Sequence, residues 1–81
     1  RMERKRKSTE TVYIEVDDAY KVNEVLKKLE NKLPESFTYH ISAPKSGTVG
    51  NVGISVVTDG RINTDVGSLT EIENVVFAVE E

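Results

Sequence analysis

The side chains best able to do chemistry in this chain are few and stand apart. His40 is the only imidazole. It falls in an alternating stretch that directs it away from a core. No base or nucleophile partner lies near it in sequence, so it reads as a surface or interface histidine. Asp17 and Asp18 are adjacent carboxylates that could meet a hard cation, but such an ion wants six or more oxygens in a defined loop. A helix N-cap accounts for Asp18 without a metal. Lys45-Ser46-Gly47 has the residue types of a phosphate loop without its glycine-to-lysine spacing. Gly47, Gly50 and Gly53 recur every third residue, but between two strand patterns rather than between a strand and a helix. Serines at 8, 36, 42, 46, 55 and 68 have no nearby base in the sequence, and there is no cysteine. Neither a nucleophile–base pair nor a thiolate metal site is legible. The expectation is a non-enzyme with no catalytic residues, no metal and no cofactor.

Size and charge narrow the classes further. With 81 residues there is room for one core and little room for a deep active site. Charge is split along the chain: residues 1–10 carry a net +3 and residues 11–81 a net −6. An acidic body repels phosphate backbones, so no nucleic-acid partner is expected. The basic leader, residues 1–10, fits three descriptions. It could be a solvated tail, a juxtamembrane segment on the cytoplasmic side, or the exposed end of a preceding helix. No apolar run approaches the roughly 18 residues of a membrane span.

These residues must be positioned by a short series of strands and helices. Val12, Ile14 and Val16 alternate with Tyr13 and Glu15, the period of a half-buried strand over 11–16. From Ala19 the period changes. Val22, Val25, Leu26, Leu29 and Leu33 form one helical stripe, and Pro34 stops it, which predicts a helix over about 18–32. Phe37, Tyr39, Ile41 and Ala43 alternate as a second strand, and Val52, Ile54 and Val56 as a third. The glycine-bearing loop between them predicts a hairpin. Asp59-Gly60 admits two readings. It could turn a hairpin into a strand over 61–66. Alternatively Ile62, Val66, Leu69 and Ile72 form a helical stripe, with Asn63 or Thr64 as cap and Asp65 in the first turn. The spacing favours a short helix within 63–73. Val75, Phe77 and Val79 close the chain as a last strand, leaving Val76 and Ala78 on its other side.

The resulting order, β-α-β-β-α-β, predicts an α+β, ferredoxin-like two-layer sandwich: a four-stranded antiparallel sheet with helices on one face. The inner face is expected to hold Val12, Ile14, Val16, Phe37, Tyr39, Ile41, Ile54, Val56, Val75 and Phe77. The other face, with Tyr13, Glu15, Thr38, His40, Ser42, Ser55, Val57, Val76 and Ala78, is mixed, and is expected to be solvated or covered by a partner.

Residues 11–80 resemble an ACT-like regulatory domain. The likeness lies in the strand ending at Asp17, the amphipathic helix, the strand pair and the closing stretch from Ser68 to Val79. The resemblance implies a regulatory, non-catalytic domain of a larger protein. Amino-acid-binding members carry a glycine in the turn that opens the first helix, whereas this turn is Asp17-Asp18-Ala19-Tyr20. The run Arg1-Met2-Glu3-Arg4-Lys5-Arg6-Lys7 ahead of Val12–Val16 is similar to the junction in MgtC/SapB-type membrane proteins. There, an ACT-like cytoplasmic domain follows the last span. That likeness implies a soluble appendage at the cytoplasmic face of an inner membrane. Self-association through sheet edges or faces, and an upstream membrane or enzyme domain, are the expected partners. The alternative is a domain that senses an amino acid or ion, with Asp17, Asp18 and Tyr20, or the 44–53 loop, as its site.

Overall fold

The computed structural model describes residues 9–81, so most of the basic leader lies outside the described residues. Four strands and one α-helix make up the fold: β1 (Thr9–Val16), α1 (Val22–Lys32), β2 (Phe37–Ser42), β3 (Val52–Asp59) and β4 (Val75–Glu80). A short 3₁₀ helix, Ala19–Lys21, leads into α1, and a second, Val66–Glu71, precedes β4. All strand pairs are antiparallel and the sheet order is β2-β3-β1-β4.

The stripe expected on the first helix is the one that packs. Val25, Leu26, Leu29 and Leu33 are buried against Val12, Ile14 and Val16 of β1 and Ile54 and Val56 of β3. Burial of each such side chain contributes about 1.5–3 kcal/mol. Pro34 ends the helix as expected, with Leu33 already extended at φ −105°, ψ 112°. The hairpin across the 43–51 loop also forms, pairing Ser42 with Gly53 and Phe37 with Thr58.

Beyond Gly60 neither reading of the sequence holds in full. Residues 61–65 form no strand or helix, because the chain leaves the sheet at Gly60 (φ 117°) instead of turning back. The short helix expected within 63–73 is present as the six-residue 3₁₀ helix, with Asp65 as its cap. The Asp65 carboxylate accepts from Gly67 N at 3.2 Å. Leu69 and Ile72 are buried and serve as the second cover of the core, over β4.

Three features of the expected faces are corrected. A β-bulge between Glu15 and Val16 sets Val16 opposite Val75 but Glu15 opposite Phe77, so Val76 is the extra residue. That shift moves Phe77 off the core face and turns Ala78 onto it. Tyr39 and Ile41, expected in the core, are 52% and 44% exposed. They sit on the correct face, opposite buried Val56 and Ile54, but β2 is an edge strand that α1 does not fully cover. Tyr13 and Glu15, expected on a mixed open face, are 0% and 3% exposed.

Candidate functional site

The burial of Tyr13 and Glu15 defines the most elaborate polar site among the described residues. Strand alternation sends both side chains to the sheet face opposite α1. The loop between β2 and β3 folds back over that face and covers them. Its backbone uses left-handed conformations at Gly47 (φ 75°) and Gly50 (φ 95°), which glycine adopts without strain.

Glu15 is the hub. Its Oε1 accepts from the Tyr13 hydroxyl at 2.7 Å and from Ser46 N at 3.3 Å. Its Oε2 accepts from the Ser46 hydroxyl, and from Asn51 Nδ2 at 2.8 Å. The hydroxyl of Ser46, then the amide of Asn51 and the phenol of Tyr13, hold this carboxyl at a pKa of about 2, against the desolvation that pushes the other way. The Tyr13 oxygen in turn accepts from Lys45 N at 2.7 Å. Burial is the main cause that raises the Tyr13 pKa. Lys45 Nζ lies 4.8 Å from the centre of the Tyr13 ring and pairs with the Glu81 carboxylate. The ring of Phe77 stands 6.1 Å from that of Tyr13 at 58°. Gly53, opposite Glu15 in β3, makes the space: a Cβ there would stand 2.7 Å from Tyr13 Cε1 and 2.8 Å from Ala43 O.

A carboxylate with two donors on each oxygen and a pKa near 2 has no free acceptor for a substrate proton. The arrangement ties a loop to a sheet. A groove of about 490 Å³ runs beside it, with Val76 and Phe77 on one wall and Lys45, Ser46, Thr48 and Asn51 on the other.

The residues expected as a ligand site lie at the other end of β1 from Thr9 and serve the turn itself. Asp18 Oδ1 accepts from Tyr20 N at 3.0 Å, which caps the first 3₁₀ helix. Asp17 is tied to Asn74, its carboxylate accepting from Asn74 Nδ2 at 2.9 Å and its N–H donating to Asn74 O at 3.0 Å. Tyr20 points outward, 95% exposed, and its hydroxyl has no partner among the described residues. His40 is exposed on β2, opposite Ser55. The 44–53 loop, the alternative site, supplies Ser46 and Asn51 here, whereas the sequence places Glu15 and Tyr13 only on the open face and does not single them out as a site. Their signal was a lone glutamate inside a β-branched strand, matched by a glycine in the strand patterned to pair with it.

The β2 edge carries two further grooves on the α1 side. One, of about 360 Å³, is lined by Leu33, Pro34, Phe37, Tyr39, Glu30 and Glu35. Glu35 Oε1 is buried with no hydrogen-bond partner among the described residues, while Oε2 accepts from Asn63 N at 3.2 Å. The other, of about 460 Å³, is lined by Ala19, Tyr20, Val22, Asn23, Ile41 and Val52.

Compared with known proteins, the chain matches no family model, no curated protein and no solved structure. Among the described residues no helix is long and apolar enough to cross a membrane. No group of three or more His, Asp or Glu side chains placed to hold a metal ion stands among them either.

Proposed function

We propose that this chain is a non-catalytic regulatory and interaction domain of ACT-like, ferredoxin-like type that works by pairing with a second copy. Read from the β4 edge, the sheet order is β4-β1-β3-β2, with α1 between β1 and β2 and a 3₁₀ helix between β3 and β4. That order supports the ferredoxin-like reading. The basic leader supports a place as the soluble cytoplasmic appendage of an MgtC/SapB-type membrane protein.

The observation that carries the proposal is the β2 edge. Edge strands are ordinarily protected by charges, prolines or bulges. β4 has such protection in its bulge and in Glu80. β2, Phe-Thr-Tyr-His-Ile-Ser, has no lysine, arginine, carboxylate, proline or bulge, and it exposes Tyr39 and Ile41. Asp59 N donates to Ser36 O, so the even residues of β2 point their backbone groups toward β3. Phe37, Tyr39 and Ile41 therefore present theirs outward. Antiparallel pairing about a two-fold axis at Tyr39 sets Phe37 against Ile41 of the other copy and Thr38 against His40. It forms about six backbone hydrogen bonds and brings no like charges together.

Sedimentation of the full chain at high micromolar concentration tests the association, and a monomer there overturns it. The register is tested by disulfide trapping, which is clean because the sequence has no cysteine. Chains bearing Thr38→Cys mixed with chains bearing His40→Cys should cross-link on oxidation. Thr38→Cys alone should not, because its two copies lie too far apart to bridge.

A further inference from the structure

We propose that pairing along β2 creates a metal site that a single chain lacks, with the His40 imidazole of each copy holding one divalent transition-metal ion of the Zn²⁺ type between them. The inference rests on the edge pairing above and names an ion that strengthens it. One chain has a single imidazole, and no group of three or more metal-binding side chains stands among its described residues. The second copy supplies the second ligand.

The register places that ligand. Tyr39 and Ile41 lie on the α1 side of the sheet, so Thr38 and His40 lie on the open side. Pairing about Tyr39 sets Thr38 of each copy directly against His40 of the other. It sets the two His40 residues diagonally across the two-fold axis. Diagonal neighbours on one face of an antiparallel pair stand about 7–8 Å apart, with their Cβ atoms somewhat closer. Two imidazoles leaning toward the axis span that gap with an ion between them, about 2.0–2.1 Å from each nitrogen. The axis runs through the ion, as a symmetric site requires.

The surroundings suit such an ion. His40 is exposed, and its neighbours on this face, Thr38, Ser42 and Ser55, are uncharged. No ammonium group among them repels a cation, and no carboxylate among them holds the rings elsewhere. Ser55, opposite His40 in β3, brings a hydroxyl able to accept from the ring nitrogen that does not meet the ion. Imidazole nitrogen suits ions of the Zn²⁺, Ni²⁺ and Cu²⁺ group, whereas Mg²⁺ and Ca²⁺ want oxygen. Water fills the remaining positions of the shell. Residues 11–81 carry a net −6 in each copy, so a cation on the axis also offsets the repulsion between two acidic bodies.

Sedimentation equilibrium on the full, untagged chain, in EDTA and then in Zn²⁺, reads the result. An ion held by the dimer alone lowers the dimer Kd by one plus the ratio of free ion to its own Kd, so free Zn²⁺ at about ten times that value should lower it about 10-fold. Equilibrium dialysis should find one Zn²⁺ for two chains. The ring C–H resonances of His40, the only histidine, should move on adding Zn²⁺, a readout that needs no variant. His40→Gln, compared with itself in the same two buffers and shown folded by a thermal melt, should gain nothing from Zn²⁺. A wild-type dimer with the same Kd in EDTA and in Zn²⁺ overturns this inference and leaves the edge pairing standing. A Zn²⁺ response that His40→Gln keeps, or a stoichiometry of one ion per chain, marks an adventitious ion only and overturns it as well. A chain that pairs in Zn²⁺ alone, and not as His40→Gln, upholds the bridge and overturns the unaided pairing. A chain monomeric at high micromolar concentration in both buffers overturns both.

Discussion

Glu15→Gln is the change that tests the loop anchor most directly. The carboxylate receives four donors, two on each oxygen. An amide keeps one acceptor and turns the other into a donor, which then faces donors: Tyr13 and Ser46 N on one side, or Ser46 Oγ and Asn51 on the other. The magnitude follows from the depressed pKa of this carboxyl. A carboxyl held at about 2 instead of 4.5 is stabilised in its charged form by the folded structure. At about 1.4 kcal/mol per pH unit this amounts to about 3 kcal/mol at neutral pH. The sign follows because the folded pKa is depressed. The stability is fully present above the unfolded value of 4.5 and is lost as pH falls through about 2. Urea unfolding of wild type and Glu15→Gln at pH 7 should differ by about 2–3 kcal/mol. For a domain of this length that is a fall in Tm of roughly 10–20 °C. The gap should close progressively as both are titrated from pH 5 toward pH 2, while the other carboxylates cancel in the difference. The amide protons of Lys45 and Ser46 should lose exchange protection in the variant at neutral pH. A variant within 0.5 kcal/mol of wild type at pH 7 would refute the reasoning. So would a difference that does not change with acid.

Three other perturbations probe separate parts of the fold. Gly53→Ala places a methyl against Tyr13 and the Ala43 carbonyl, and should cost about 1–3 kcal/mol in urea unfolding, with the Tyr13 ring resonances shifted. Leu29→Ala empties a fully buried site beneath β1 and β3. It should cost about 2–5 kcal/mol, read as a lowered midpoint in urea unfolding followed by circular dichroism. Asn74 holds a left-handed backbone (φ 79°) and donates to Asp17. Asn74→Ala should therefore lower the urea midpoint by the equivalent of about 1–2 kcal/mol, and Asn74→Gly by less, because glycine relieves the backbone strain but not the lost hydrogen bond.

How far the fold was legible depended on the range of the interactions. Element types were local. The stripe from Val22 to Leu33, the stop at Pro34 and the alternation of β1 and β3 each follow from side-chain period, and the structure uses them as read. The faces of β4 were not local. A bulge created by its pairing with β1 exchanged Phe77 and Ala78, and nothing within Val75–Glu80 announces it. Asp59-Gly60 carried a hairpin signal in its composition, but β3 already has β1 and β2 beside it and offers no free edge to a returning strand.

The sequence by itself determined that this is a small, acidic, cysteine-free α+β body with one amphipathic helix and no nucleophile–base pair in sight. Those properties depend on composition and on periods of two and 3.6 residues, which any short window contains. Tertiary structure alone decided that Glu15 and Tyr13 are buried and that Tyr39 and Ile41 are not. Burial depends on what crosses overhead. The loop from Ala43 to Asn51 folds back across one face of the sheet, while α1 stops short of the other face's edge. Both outcomes join residues about thirty positions apart, or leave them unjoined, through contacts that no local pattern encodes.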